Sequence, residues 1–156
     1  MSFSIQFLNL DDYSPEQRKY YLGKKHNLCL GEITIGGFDE VFESSLAFWS
    51  KNEYEVQWKD ALARIVKGSR TSCLITTMND PRRARFLTWW PLYRDGYNVI
   101  VQNHLFFIKD AKGQFDPQRP YSFVKEYERI NRDGQEISEW ITTVVEIEEF
   151  LDRVKK

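Results

Sequence analysis

The feature of this chain that most constrains its fold is a single change in hydrophobic period. Tyr54, Trp58, Ala61, Leu62 and Ile65 recur at helical spacing and mark one face of a helix. From Thr71 the period falls to two: Thr71 to Met78 is rich in β-branched residues and stops at Asn79-Asp80-Pro81, a turn signal. Helices followed by a run of strands predict an α+β fold. The expected form is an antiparallel sheet of about five strands in the C-terminal two-thirds, packed with two helices from the N-terminal half and one C-terminal helix. One face of such a sheet meets the core, and the other is the cheapest place to build a binding surface.

The flanking segments fill in this outline. Phe3, Ile5 and Phe7 alternate with polar residues and predict a short strand. The polar stretch 11–25 reads as a loop with one helical turn at Ser14-Pro15. Leu28, Leu30, Ile33 and Ile35 form a second apolar run, closed by Gly36-Gly37. Phe38, Val41, Phe42, Ser45, Phe48 and Trp49 then sit at helical spacing and predict a first helix over 38–49. Asn52 with Glu55 resembles a capping box that opens the second helix, which runs through Val66 with Gly68 as its C-terminal glycine. Past Asp80, strands are expected over 85–93 and 97–108 around an Asp95-Gly96 turn. Pro91 cannot donate to a ladder, so its strand is expected at an edge or with a bulge. A second hairpin, 122–131 with 136–143, is expected around Asp133-Gly134. Thr143 and Glu146 open a terminal helix with the stripe Ile147, Phe150, Leu151 and Val154.

Composition removes several classes of function. The chain has 156 residues, 42% hydrophobic and 29% charged, which suits one globular domain over residues 1–156 and not a disordered tail. No apolar run reaches the ~18 residues of a membrane helix, and the first residues lack the pattern of a secretory signal. Two cysteines make no disulfide framework, so a cytoplasmic location is expected. A net charge of −1 argues against bulk polyanion binding. That average hides a dipole: 64–94 carries seven basic residues and one acid, whereas 126–152 carries nine acids and two bases. Either stretch could recruit a partner of opposite sign or serve as a solvated face.

Tests for catalytic constellations return little. Only His26 and His104 could serve as imidazole bases, and neither lies in a nucleophile motif. Cys29 and Cys73 sit among apolar residues and read as buried, inert thiols. A zinc site would need His26, Cys29, Cys73 and His104 to converge without a paired motif. Gly36-Gly37 is followed by Asp39 and Glu40, which would repel a phosphate, so it reads as a turn. No cofactor, metal or catalytic residue is expected. Two binding readings remain. Arg82, Arg83 and Arg85 run into Phe86, Trp89, Trp90 and Tyr93, the cation–aromatic interleaving of single-strand nucleic-acid binders; Trp89 and Trp90 face opposite ways, so at most one could stack a base. In the acidic stretch, strand parity groups Glu126 with Glu128, and Glu136 with Ser138 and Trp140. An aromatic among acids is a reasonable anchor for a basic partner, against the alternative that Trp140 is core and the acids are rim. The candidate partner-binding residues are Glu126, Glu128, Asp133, Glu136, Glu139 and Trp140.

Several strings carry more than composition does. The run from Leu30 through Gly31-Glu32-Ile33-Thr34-Ile35-Gly36-Gly37 to Phe38, then Phe42-Glu43-Ser44-Ser45-Leu46 with Trp49, resembles the opening of a bacterial immunity-protein family. That family is the CdiI-like immunity proteins of contact-dependent growth inhibition systems. Tyr54 to Trp58, Trp89-Trp90-Pro91-Leu92-Tyr93, Val101-Gln102-Asn103-His104 and Ile137-Ser138-Glu139-Trp140 follow in the same order, so the resemblance spans roughly 28–151. It implies a small cytoplasmic protein, not an enzyme, that binds and occludes the C-terminal toxin domain of its own cell's effector, commonly a nuclease. It does not name interface residues, because immunity proteins diversify with their toxins. Nucleic-acid binding through Arg82, Arg83 and Arg85 is the alternative.

Overall fold

The computed structural model describes residues 2–22, 27–111 and 113–155. Its first layer is a three-stranded antiparallel sheet of β1 (Phe3–Phe7), β2 (Leu28–Ile35) and β3 (Phe38–Ser45), in the order β1-β2-β3. Phe3, Ile5, Ile33, Ile35 and Phe42 point from it into the core. Ile35 pairs with Phe38, so Gly36-Gly37 is a two-residue hairpin turn with Gly36 at φ 62°. Segment 38–45 is therefore a strand, not the start of the helix expected over 38–49. Phe38 and Phe42, four apart, fit both periods, and the turn decides between them. Phe42 and Ser44 are buried on the inward face while Val41 is exposed. Gly31, paired with Phe42, is where that aromatic ring comes down on the sheet: a Cβ there would lie 2.4 Å from Phe42 Cζ.

Between β1 and β2 the chain makes a 3₁₀ turn, Leu10–Asp12, and helix α1 (Pro15–Tyr21), longer than the single turn expected. Ser14 and Gln17 form a reciprocal cap at its start. Helix α2 (Lys51–Val66) buries Tyr54, Trp58, Ala61, Leu62 and Ile65, the stripe read from the sequence. Its N-cap is Ser50, not Asn52. Ser50 Oγ accepts from Glu53 N–H at 3.2 Å, and the Glu53 carboxylate accepts from Ser50 N–H at 3.1 Å. Gly68 follows at φ 114°.

The second sheet contains β4 (Thr71–Thr77), β5 (Phe86–Asp95), β6 (Asn98–Gln102), β7 (His104–Phe107) and β8 (Glu139–Thr143), all antiparallel. Its order is β4-β5-β6-β8, with β7 also on β5. The β5–β6 turn is Gly96-Tyr97, one residue beyond the expected Asp95-Gly96, because Asp95 pairs with Asn98. β6 and β7 meet β5 in one register, so 98–107 is a single course broken at Asn103. Pro91 accounts for the break: it lies between Trp89↔His104 and Leu92↔Val101, where no N–H is available for the ladder. β5 is thus central, not an edge strand, and the bulge in β4 lies elsewhere, at Thr76.

Helix α3 (Val144–Val154) follows β8, with Thr143 Oγ1 accepting from Glu146 N–H and Val144, Ile147 and Phe150 buried. The helices and the inner faces of both sheets share one apolar core. At one side of that core Trp140 stacks on Phe38, rings 4.1 Å apart and 16° from parallel, and leans on Trp90 at 5.6 Å. The sheets are tied where β3 approaches β4: Thr77 Oγ1 donates to Glu43 O at 2.6 Å, and Ser44 Oγ donates to Thr76 O. The strand expected over 122–131 does not form. Pro120–Phe123 is a 3₁₀ turn, 124–128 is irregular, and one bridge, Ile130↔Glu136, is all that remains of the second hairpin.

Candidate partner-binding site

The outer face of the five-stranded sheet is only partly covered. Phe115 and Phe123 close it near Phe106, at 5.7 and 6.5 Å between ring centroids. Beyond them the irregular arm 124–138 stands off the sheet and leaves a cleft of about 590 Å³. Trp89, Pro91, Tyr93, Gln102 and His104 line it from the sheet; Glu126, Glu128, Asn131 and Asp133 line it from the arm. Side chains from the sheet hold the arm by its carbonyls. Tyr93 Oη donates to Lys125 O at 3.1 Å and Gln102 Nε2 to Glu128 O at 2.8 Å. These bonds take the place of ladder partners, which is why the arm needs no strand geometry. Tyr127 Oη donates to both Glu139 oxygens, at 2.7 and 2.9 Å, and Arg132 pairs with Asp110 at 3.2 Å.

Burial sets the protonation states in the cleft. It holds the His104 imidazole below the usual histidine range, with neighbouring Lys125 acting in the same sense. It raises the Tyr93 hydroxyl to about 12, helped by the Glu128 charge. The cleft therefore presents a neutral floor and a rim with several carboxylates.

The candidate residues fall on this region unevenly. Glu126, Glu128 and Asp133 rim the cleft, exposed. Glu136 and Glu139 border a smaller hollow of about 300 Å³ with Arg129, Ile137 and Ser138. Glu126 and Glu128 do not share a strand face, since their segment is not a strand. Nor does Trp140 stand in a row with Glu136 and Ser138: β8 begins at Glu139, and Trp140 turns inward to Phe38 while Glu139 turns outward beside Gln102. Of the cleft-lining residues, Pro91 and Gln102 carry no site reading in the sequence, Tyr93 enters only through the nucleic-acid alternative, and His104 only as a candidate base or zinc ligand. Their signal was there in strand parity across β5 and 98–107.

The basic segment builds no stacking platform. Trp89 and Trp90 are each only 1% exposed, so neither is open to a base. Arg82 is turned back on Asp80, its guanidinium holding that carboxyl below the usual carboxylate range. Arg94 donates to Ile65 O at 2.6 Å at the C-terminus of α2. Both cysteines are buried; burial pushes the Cys29 thiol up to about 11 and the Cys73 thiol up as well. His26 lies outside the described residues, and among these no group of three or more His, Cys, Asp or Glu is arranged to hold a metal ion. No helix among them is long and apolar enough to cross a membrane.

The fold and this surface define a small α+β binding protein: two antiparallel sheets around helices, with an open, acid-rimmed outer face. The family model of the CdiI N-terminal domain matches residues 44–150, and the chain belongs to that family. A relative named "Immunity protein CdiI", from Enterobacter cloacae, is 28% identical over 118 residues, covering 76% of this chain and 81% of that protein. The fold also matches a chain of the solved "CdiA-CT/CdiI toxin and immunity complex from Enterobacter cloacae", with a TM-score of 0.80, 23% identity and 98% of both chains covered.

Proposed function

We infer that this chain is an immunity protein that binds the C-terminal toxin domain of its own contact-dependent growth inhibition effector and neutralises it by stoichiometric occlusion. It acts as one domain over residues 1–156, in the cytoplasm, by binding and not by turnover. Membership of the CdiI N-terminal domain family carries the reading. The acidic arm supports it, since carboxylates on an exposed rim suit a basic toxin surface such as a nuclease presents, and charge of one sign steers encounter and selects the partner. On this reading Glu126, Glu128, Asp133, Glu136 and Glu139 contribute to recognition, and Trp140 supports β8 from beneath.

Growth of cells making the cognate toxin domain, with and without this chain, tests the proposal. Rescue together with a one-to-one complex that copurifies is the expected result. Continued killing and no complex, with both proteins folded, would overturn it.

A further inference from the structure

An end strand leaves every second backbone N–H and C=O without a ladder partner, and proteins cover or blunt such edges. This chain caps several of its own at single points. α2 seals β4: Gln57 Nε2 donates to Cys73 O at 2.8 Å, Ile75 N–H donates to Gln57 Oε1 at 2.9 Å, and Trp58 Nε1 donates to Ile75 O at 2.7 Å. β3 is tied through Ser44 and Thr77. Arg153 donates to Phe3 O on β1 at 3.2 Å, and on β7 the His104 ring lies 3.2 Å from Leu105 O.

β8 has no such closure among the described residues, and it ends the order β4-β5-β6-β8. The register fixes which of its groups are free. Val144 N–H donates to Tyr97 O at 2.9 Å, so by alternation Thr142 and Trp140 also face β6. The backbone N–H and C=O of Glu139, Ile141 and Thr143 therefore point away from the sheet. Nothing in the strand blunts this row: Glu139–Thr143 has no proline, lysine or register shift. Ile141, in its middle, is 61% exposed on the outer face.

We propose that β8 is a strand-addition site for the toxin domain, taking an extended segment with an apolar residue against Ile141 and basic residues towards Glu136 and Glu139. The proposal rests on the immunity reading above. Charge selects the occupant. A second copy adding here would bring together two 126–152 segments, each with nine acids and two bases, whereas a basic segment meets them favourably. Main-chain bonds would supply affinity, and Ile141 with the flanking acids the selectivity.

Residue-resolved amide exchange on the free protein and on its complex with the toxin domain is the test. The amides of Ile141 and Thr143 are expected to exchange freely alone and about tenfold or more slower in the complex. Ile141→Pro removes one outward N–H and none from the β6 ladder, so it should weaken binding about tenfold with the thermal midpoint little changed. Ile141→Thr, which keeps the N–H, should bind more tightly than Ile141→Pro. Should the proline variant not fold, exchange on the unmodified protein still decides. A complex in which both amides keep their free rates overturns strand addition and leaves the immunity reading standing. Protection of both amides before toxin is added, with a doubled mass, would make the occupant a second copy and overturn the proposal. Absence of any complex would overturn both.

Discussion

Gly31 is defined by what lies over it. The Phe42 ring occupies the space a Cβ would need, so Gly31→Ala must push an aromatic out of the core. Overpacking of this kind costs about 1–3 kcal/mol, to be read from denaturant unfolding, and Phe42→Leu in the same chain should return part of it. Glu40 lies on the inward side of β3, where Asn103 Nδ2 donates to it at 3.2 Å. Burial raises its carboxyl above the usual range, so the ionised form is the costly one in the fold. That cost is absent in acid, where the group is protonated both folded and unfolded, and grows as the pH rises through the folded value. Glu40→Gln should therefore raise the unfolding midpoint near neutral pH and leave it unchanged well below the carboxylate range, which thermal melts across pH will check.

At the scale of elements, the start of α2 offers a sharp comparison. Ser50 and Asn52 are both capping residue types, and each has a glutamate three positions on. Ser50→Ala should cost about 1 kcal/mol and Asn52→Ala less than about 0.5, measured by urea unfolding. The ambiguity also marks what was legible in the sequence. The α2 stripe, β1, β2, β4 and α3 could be read because long periodic segments declare themselves. β3 could not, because Phe38 and Phe42, four apart, satisfy either period, Val41 and Ser45 add helical spacing, and only the pairing of Ile35 with Phe38 settles which. The segment 122–131 reads as a strand beside the Asp133-Gly134 turn, yet Tyr93 and Gln102 satisfy the Lys125 and Glu128 carbonyls from the sheet, a long-range substitution that no local pattern encodes. Of the candidate site, the acids were visible as a charge run. The sheet floor beneath them was not, since it depends on which face of β5 the arm covers.

For the molecule as a whole, the charge dipole survives folding unequally. Part of the basic run is absorbed internally, with Arg82 on Asp80 and Arg94 on the end of α2. Glu126, Glu128, Asp133 and Glu136 remain exposed on one side. Reversing Glu126, Glu128 and Glu136 to lysine should slow association with the toxin domain by about tenfold or more at low salt and by less at high salt, measured by stopped flow. Rates insensitive to the three reversals would take this face out of the encounter. The clasp of Gln57 on β4 bears on assembly as well. Along the path β4-β5-β6-β8 it leaves a unit with one reactive end, and in a polymerisation such a unit terminates growth instead of propagating it. A toxin segment added at β8 would therefore end the row of strands on that path, with no further edge there to extend from.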